Sequence, residues 1–179
     1  MIIENERLAE NSAVTLSTLQ RKHIEALFDF EQENRVWFEQ SVPPRPESYR
    51  QLSSFRTEIE ALLLEQALGR YYFFVLENQG RILGRLNLYD LSATRAEVGY
   101  RVGQAVAGQG LMSKAIACLV TLARQELKLN QLIAKTTLNN LPSIAVLKKL
   151  GFVQTEHCRD TVTLNGKKQR MIAFERPLR

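Results

Sequence analysis

Residues 98–115 read Val98-Gly99-Tyr100-Arg101-Val102-Gly103-Gln104-Ala105-Val106-Ala107-Gly108-Gln109-Gly110-Leu111-Met112-Ser113-Lys114-Ala115. Val98, Tyr100 and Val102 alternate with small or polar residues, which is the period of a strand. The spacing then changes. Leu111, Ala115, Cys118, Leu119, Leu122, Ala123 and Leu127 form one stripe at helical spacing, with Lys114, Thr121, Arg124 and Lys128 outside it. Between the two periods lie Gly103, Gly108 and Gly110. A strand therefore enters a long amphipathic helix through a glycine loop. The first amides of such a helix have no partner within it, and the helix dipole adds positive potential, so the loop offers a seat for a pyrophosphate.

Two common phosphate loops are excluded. Gly103 and Gly108 have the spacing of a P-loop, but Gln109-Gly110 stands where Lys and Ser or Thr must follow. Gly108-x-Gly110 begins a dinucleotide fingerprint, but Ser113 replaces its third glycine. The unit also follows a hairpin rather than opening a βαβ repeat.

Outward from this loop, residues 71–77 are aromatic and β-branched, Asn78-Gln79-Gly80 is a turn, and 82–89 alternates, giving a hairpin that continues into a strand at 96–102. On the N-terminal side, 13–19 reads as a strand and 20–30 as a helix carrying Ile24, Leu27 and Phe28. A Pro-rich break at 41–46 follows. Pro46 is expected in the first turn of a second helix with Tyr49, Leu52, Phe55, Ile59, Leu62 and Leu63 on one face, closed by Gly69. On the C-terminal side come a strand at 131–138, a short helix within 139–151, and two strands flanking the hairpin signal Asn165-Gly166. The order is β-α-α-β-β-β-α-β-α-β-β, an α+β fold in a single domain over 1–179, without repeat or linker.

Composition bounds the function. The 179 residues are 45% hydrophobic and 24% charged, near the globular average. Apolar runs such as 116–123 are too short to span a bilayer, and the acidic start (Glu4, Glu6, Glu10) is no signal peptide, so a soluble, cytoplasmic protein is expected, with no membrane partner. Cys118 and Cys158 have no metal-ligand or disulfide spacing, so no metal is expected. Residues 1–69 carry 7 Lys and Arg against 12 Asp and Glu, and residues 70–179 the other 17 against 7. That asymmetry fits an anionic partner. Nucleic acid is disfavoured, because the basic residues are dispersed and no recognition module appears.

The glycine loop, in this strand order, resembles the acyl-CoA site of the GNAT (Gcn5-related N-acetyltransferase) superfamily. The supporting residues are Glu97-Val-Gly-Tyr100, Gly108-Gln-Gly-Leu-Met112, Asn140-Leu-Pro-Ser143, Leu150-Gly-Phe152 and the Leu164-Asn-Gly166 turn. They are similar to the RimJ/RimL branch, the ribosomal-protein N-terminal acetyltransferases, over essentially the whole chain. The resemblance implies a mixed, mostly antiparallel central sheet flanked by helices, acetyl-CoA as cosubstrate, and a primary amine as acceptor. A protein N-terminal α-amine, as on a ribosomal protein, is the favoured acceptor; a small-molecule amine is the rival, and a catalytically silent acyl-CoA-binding domain is a third reading. A homodimer is also implied. The chain departs from the family where Ala107 replaces a basic or Gln residue, Met112 a Gly or Ala, Val162 a carboxylate and Arg170 an Asp.

By the same resemblance, Tyr100, Arg101 and Val102 pair with the pantetheine arm, while Ala107, Gly108, Gln109, Gly110, Leu111, Met112 and Ser113 form the pyrophosphate loop. Asn140 contacts the pantetheine, and Ser143 protonates the leaving thiolate. On generic grounds Ser143 is equally a helix N-cap. The attacking amine must be neutral, although a lysine amine titrates near 10.4 and an α-amine near 8. Glu97, sharing a strand face with Gly99 and Arg101, is the candidate base through a water; its alternative is a salt bridge to Arg101. Glu156 and Asp160 are further candidates, and His157 a weaker one. Trp37 and Phe38 are placed on the acceptor side or in the core.

Overall fold

The structure, a computed structural model, describes residues 3, 6–8, 13–156, 158 and 160–178. Among these residues nine strands form the sheet: β1 (Glu6–Arg7), β2 (Thr15–Thr18), β3 (Tyr72–Asn78), β4 (Arg81–Tyr89), β5 (Arg95–Val102), β6 (Gln131–Thr137), β7 (Val153–Thr155), β8 (Thr161–Leu164) and β9 (Lys167–Pro177). Their spatial order is β1-β2-β3-β4-β5-β6-β9-β7, with β8 also on β9. Every pairing is antiparallel except β5 with β6. The helices are α1 (Ile24–Glu33), α2 (Arg35–Glu39), α3 (Leu52–Ala67), α4 (Leu111–Gln125) and α5 (Leu141–Lys149).

The sheet is covered on both faces, which explains the unbroken apolar run of β3. Phe74 and Leu76 face one core with Leu86, Leu88, Val98, Ile116 and Leu119, beneath α4 and α5. Phe73 and Val75 face the other, with Leu27, Phe30, Phe55 and Ile59 of α1 and α3. A strand buried on both sides loses its alternation. Beyond Leu86 and Leu88, however, β4 turns Arg85, Asn87 and Tyr89 to the α1–α3 side, and β5 turns Glu97, Gly99 and Arg101 there. That side is apolar at β3 and polar at β4–β5, and the polar part is where function is to be sought.

Four expectations change. An extra strand, β1, precedes the first one expected. The helix expected over 20–30 runs on to Glu33, and an unexpected α2 follows Asn34, whose Nδ2 donates to Phe30 O at 2.9 Å and whose Oδ1 accepts from Gln104 N at 2.8 Å. Gly103 makes this docking possible, since a Cβ there would lie 3.2 Å from the Phe30 ring and 3.3 Å from Asn34 Oδ1. Pro46 does not open α3; it precedes a 3₁₀ turn, Glu47–Arg50, and α3 starts at Leu52. Finally, the penultimate strand is split into β7 and β8, both paired with the long β9, so Glu156 and Asp160 sit in the connection between them. His157 lies outside the described residues.

Candidate active site

The sheet opens at its centre. β5 pairs with β4 from Tyr89↔Glu97 to Gly84↔Val102, but with β6 only from Arg95↔Gln131 to Val98↔Ala134. Beyond that point β6 stays with β9, through Thr137↔Met171, and the two parallel strands part. The Gly103 amide donates to Leu83 O at 2.9 Å. Pairing alternates along an antiparallel ladder, so Gly99 and Arg101 also turn their backbone groups to β4, and Tyr100 and Val102 turn theirs to the gap. The Trp37 indole donates to Val102 O at 3.1 Å. The Tyr100 amide and carbonyl and the Val102 amide lie beyond the last β5–β6 pair, Val98↔Ala134. They form a short strand edge to which an extended, amide-bearing chain can add.

The loop from this edge to α4 turns on two glycines. Gly108 and Gly110 have φ of +78° and +76°, a conformation that glycine adopts at little cost. The amides of Gly108, Gly110, Leu111, Met112 and Ser113 donate to no described residue. An added Cβ at either glycine meets nothing within 4 Å, so both positions border open space among the described residues. Unpaired amides under open space at the start of a 15-residue helix fit a pyrophosphate. Met112 contributes only its amide, because its side chain is in the core against Gly84.

Across the gap, α5 begins with Asn140 as its N-cap, whose Oδ1 accepts from Ser143 N at 3.2 Å. The cap is therefore Asn140 and not Ser143. The Ser143 hydroxyl is free of capping duty and lies 2.8 Å from Tyr100 Oη. Burial, partly countered by the Ser143 hydrogen bond, pushes the Tyr100 hydroxyl up to about 12, so it keeps its proton at neutral pH. Tyr100 and Ser143 thus place two hydroxyls where β5 leaves β6.

The polar face of β4–β5 holds the carboxylate candidate. Glu97 is buried; Tyr89 Oη donates to its Oε1 at 2.5 Å, and Lys135 Nζ lies 3.4 Å from its Oε2. Lys135 also reaches Asp160 at 3.3 Å. The expected alternative, a Glu97–Arg101 salt bridge, does not form. Gly99 explains the position of Tyr89, since a Cβ there would lie 3.0 Å from the ring. Burial raises the Tyr89 hydroxyl, and its hydrogen bond to Glu97 raises it further, so it too stays protonated.

Arg101, grouped by sequence with the cofactor strand, points elsewhere. Its side chain joins Arg45 and Arg85 around the buried Glu31, at 3.5, 2.7 and 3.2 Å respectively. Its guanidinium also lies over the Phe38 ring, 5.1 Å from the centroid. Phe38 is a core residue, whereas the half-exposed Trp37 caps the strand edge. Sequence reading missed Tyr89, Lys135, Glu31 and Arg45. Tyr89 was reachable by counting the β4–β5 register from its loop, but nothing local announces the other three.

An open strand edge, an anion-ready helix start and a hydroxyl pair at the split together suit an acyl-CoA thioester. An acetyltransferase (GNAT) domain matches residues 13–153. The probable N-acetyltransferase YjcK of Bacillus subtilis (strain 168) is 30% identical over 139 residues, 75% of this chain and 77% of YjcK. Ribosomal-protein-S5-alanine acetyltransferase from Vibrio fischeri has the same fold, with a TM-score of 0.86 at 17% identity over 94% of this chain and 95% of that one. RimL, a ribosomal L7/L12 α-N-protein acetyltransferase solved with coenzyme A, gives 0.84 at 21% identity over 97% and 98%. With most of its length matched by that domain, the chain belongs to the GNAT acetyltransferases, enzymes that use acetyl-CoA as acetyl donor.

Proposed function

We propose that the chain acetylates the α-amine at the N-terminus of a protein, by direct transfer within a ternary complex. The observation that carries the chemistry is the Tyr100–Ser143 hydroxyl pair at the gap in the sheet. Acetyl-CoA supplies an activated carbonyl and a thiolate leaving group. The free amides of Gly108 and Gly110–Ser113 hold its pyrophosphate, with Ala107 and Gln109 shaping the loop. The edge formed by Tyr100 and Val102, with the uncommitted Nδ2 of Asn140, aligns its pantetheine arm. As the amine nitrogen bonds to the carbonyl carbon and the C–S bond breaks, Ser143 gives its proton to the sulfur and takes back the one that the acylated nitrogen sheds as it becomes an amide. Tyr100, hydrogen-bonded to that hydroxyl, holds it in place.

The amine must first lose a proton. Glu97 Oε1 is covered by the Tyr89 hydroxyl, so the proton travels to the carboxylate through Tyr89 Oη rather than by direct contact. Lys135 balances the charge of Glu97 while it waits. A protein α-amine, already partly neutral near pH 8, asks less of this relay than a lysine amine. The named substrates of RimL and of the S5-alanine enzyme support the same acceptor class.

The test is a set of peptides with free or blocked N-termini, each containing an internal lysine, incubated with acetyl-CoA. Acetyl groups found by fragmentation on the α-amine, and none on blocked peptides, are expected. Modification of lysine or of a polyamine in preference to every free N-terminus would overturn the acceptor assignment.

A further inference from the structure

Three cross-strand pairs line the polar face of β4–β5: Arg85↔Arg101, Asn87↔Gly99 and Tyr89↔Glu97. Their charge is graded. At one end Glu97 with Asp160 outweighs Lys135. In the middle, beside Gly99, Asn87 Oδ1 is buried with no hydrogen-bond partner among the described residues. At the other end three guanidiniums surround one carboxylate, with side-chain exposures of 4% for Arg85, 14% for Arg101, 28% for Arg45 and 2% for Glu31. Two positive charges are therefore left over in a wall largely closed to water, an arrangement that asks for an anion.

The shortfall falls on Arg101. Arg45 makes two bonds to Glu31, at 2.7 and 3.2 Å, while Arg101 reaches it at only 3.5 Å and otherwise finds the Pro43 carbonyl at 3.4 Å. Burial, then the neighbouring charge of Arg45, hold the Arg101 guanidinium down to about 10. The cluster opens into a pocket shared by α1, α2 and the Pro-rich loop, lined as well by Phe38, Tyr49, Arg35, Glu39 and Arg50; Glu39 offsets the charge of Arg35, and Glu47 pairs with Arg50 at 2.7 Å, so the surplus stays with the cluster. Phe38 and Tyr49 lie under the Arg101 and Arg45 guanidiniums and fix their planes.

We propose that this face selects acceptors by charge: with the reacting amine at the Glu97 end, the Arg101–Arg45 pocket seats a carboxylate carried by an acidic side chain two to four residues along an extended N-terminus. Asn87 Oδ1, between the two ends, accepts a backbone amide of that segment. Glu97 and Arg101 are four residues apart on one strand, about 13 Å. An amino acid, whose ammonium and carboxylate share one Cα, is too short to touch both. The inference rests on the N-terminal acceptor reading and adds the sequence class to it.

The test compares C-terminally amidated peptides with Asp or Glu at the second, third or fourth position against the same peptides with Asn, Gln or Lys. Free-acid tripeptides separate a terminal carboxylate from a side-chain one. The expected result is a KM at least about tenfold lower for amidated peptides with the acidic side chain at one of these positions. Arg101→Gln should bring those peptides to the level of their amide counterparts, and the more exposed Arg45→Gln serves if the first variant misfolds. Equal kcat/KM for acidic, amide and lysine peptides, or a preference confined to free-acid tripeptides, overturns the side-chain subsite and leaves N-terminal acetylation standing. Turnover of no peptide, with acetyl-CoA still bound, overturns the acceptor reading itself and this inference with it.

Discussion

At the scale of single residues, the hydroxyl pair makes the sharpest demand. Ser143→Ala is expected to lower kcat by roughly ten- to a thousand-fold while acetyl-CoA affinity holds, the range of a lost acid or positioning group. The loss should shrink with thioester donors whose thiols are more acidic, because those leave without help. Unchanged single-turnover rates would remove Ser143 from the chemistry. Glu97→Gln should slow the reaction by about tenfold or more near neutral pH, with the deficit closing as pH passes the amine pKa near 8, where the acceptor is neutral unaided. Tyr89→Phe should reproduce that profile, since it cuts the same relay. A uniform loss at every pH, accompanied by an earlier melt, would make both residues structural. The start of α5 was legible, but its cap was not: the sequence offered Ser143, and the structure gives that role to Asn140, three residues earlier. The setting of Arg101 was not legible either, because its partner is Glu31, seventy residues earlier and on another element.

Elements explain the shape of the glycine loop. Its glycine positions showed in the sequence because φ values near +76° demand a residue without Cβ, and the helix after them showed by its stripe. The parting of β5 from β6 did not show, since it depends on β6 following β9 rather than on any residue of β5. Likewise, one expected strand became β7 and β8 because a single long β9 pairs with both. If the free amides of α4 hold the pyrophosphate, acetyl-CoA at a hundred times Kd adds about 2.7 kcal/mol to stability. For a domain of this size each kcal/mol moves the midpoint by roughly 2–4 °C, so a rise of about 5–10 °C is expected in thermal unfolding. Gly110→Asp should abolish the rise, through the strain of a side chain at that φ and repulsion of the phosphates. ATP and NAD control for phosphate alone. A folded Gly110→Asp variant that still shifts like wild type would place the cofactor elsewhere.

For the whole molecule, two buried groups tie α1 and the turn before it to the sheet, and both respond to acid. His23 accepts from Gln20 N through Nδ1 at 3.0 Å, and its Nε2 lies 3.7 Å from Glu77 Oε1. Burial lowers its pKa below the usual 6.5, against the pull of Glu77 in the other direction. The unfolded chain therefore takes up this proton before the folded one does, so the contribution of His23 is complete above about 6.5 and is lost as pH falls from there toward the folded value. Glu31 acts lower on the scale. Burial by itself would raise its pKa, but Arg45, Arg85 and Arg101 together hold it below the usual 4.5. Its contribution is present above about 4.5 and disappears below, as protonation releases three guanidiniums that then repel one another. Denaturant midpoints measured between pH 8 and pH 3 should accordingly fall in two stages. His23→Gln should flatten the first stage and leave the second, and Glu31→Gln should start from a lower midpoint with the second stage missing. A single decline centred on the carboxylate range in wild type and in His23→Gln alike would show that His23 is protonated as easily in the folded chain as in the unfolded one.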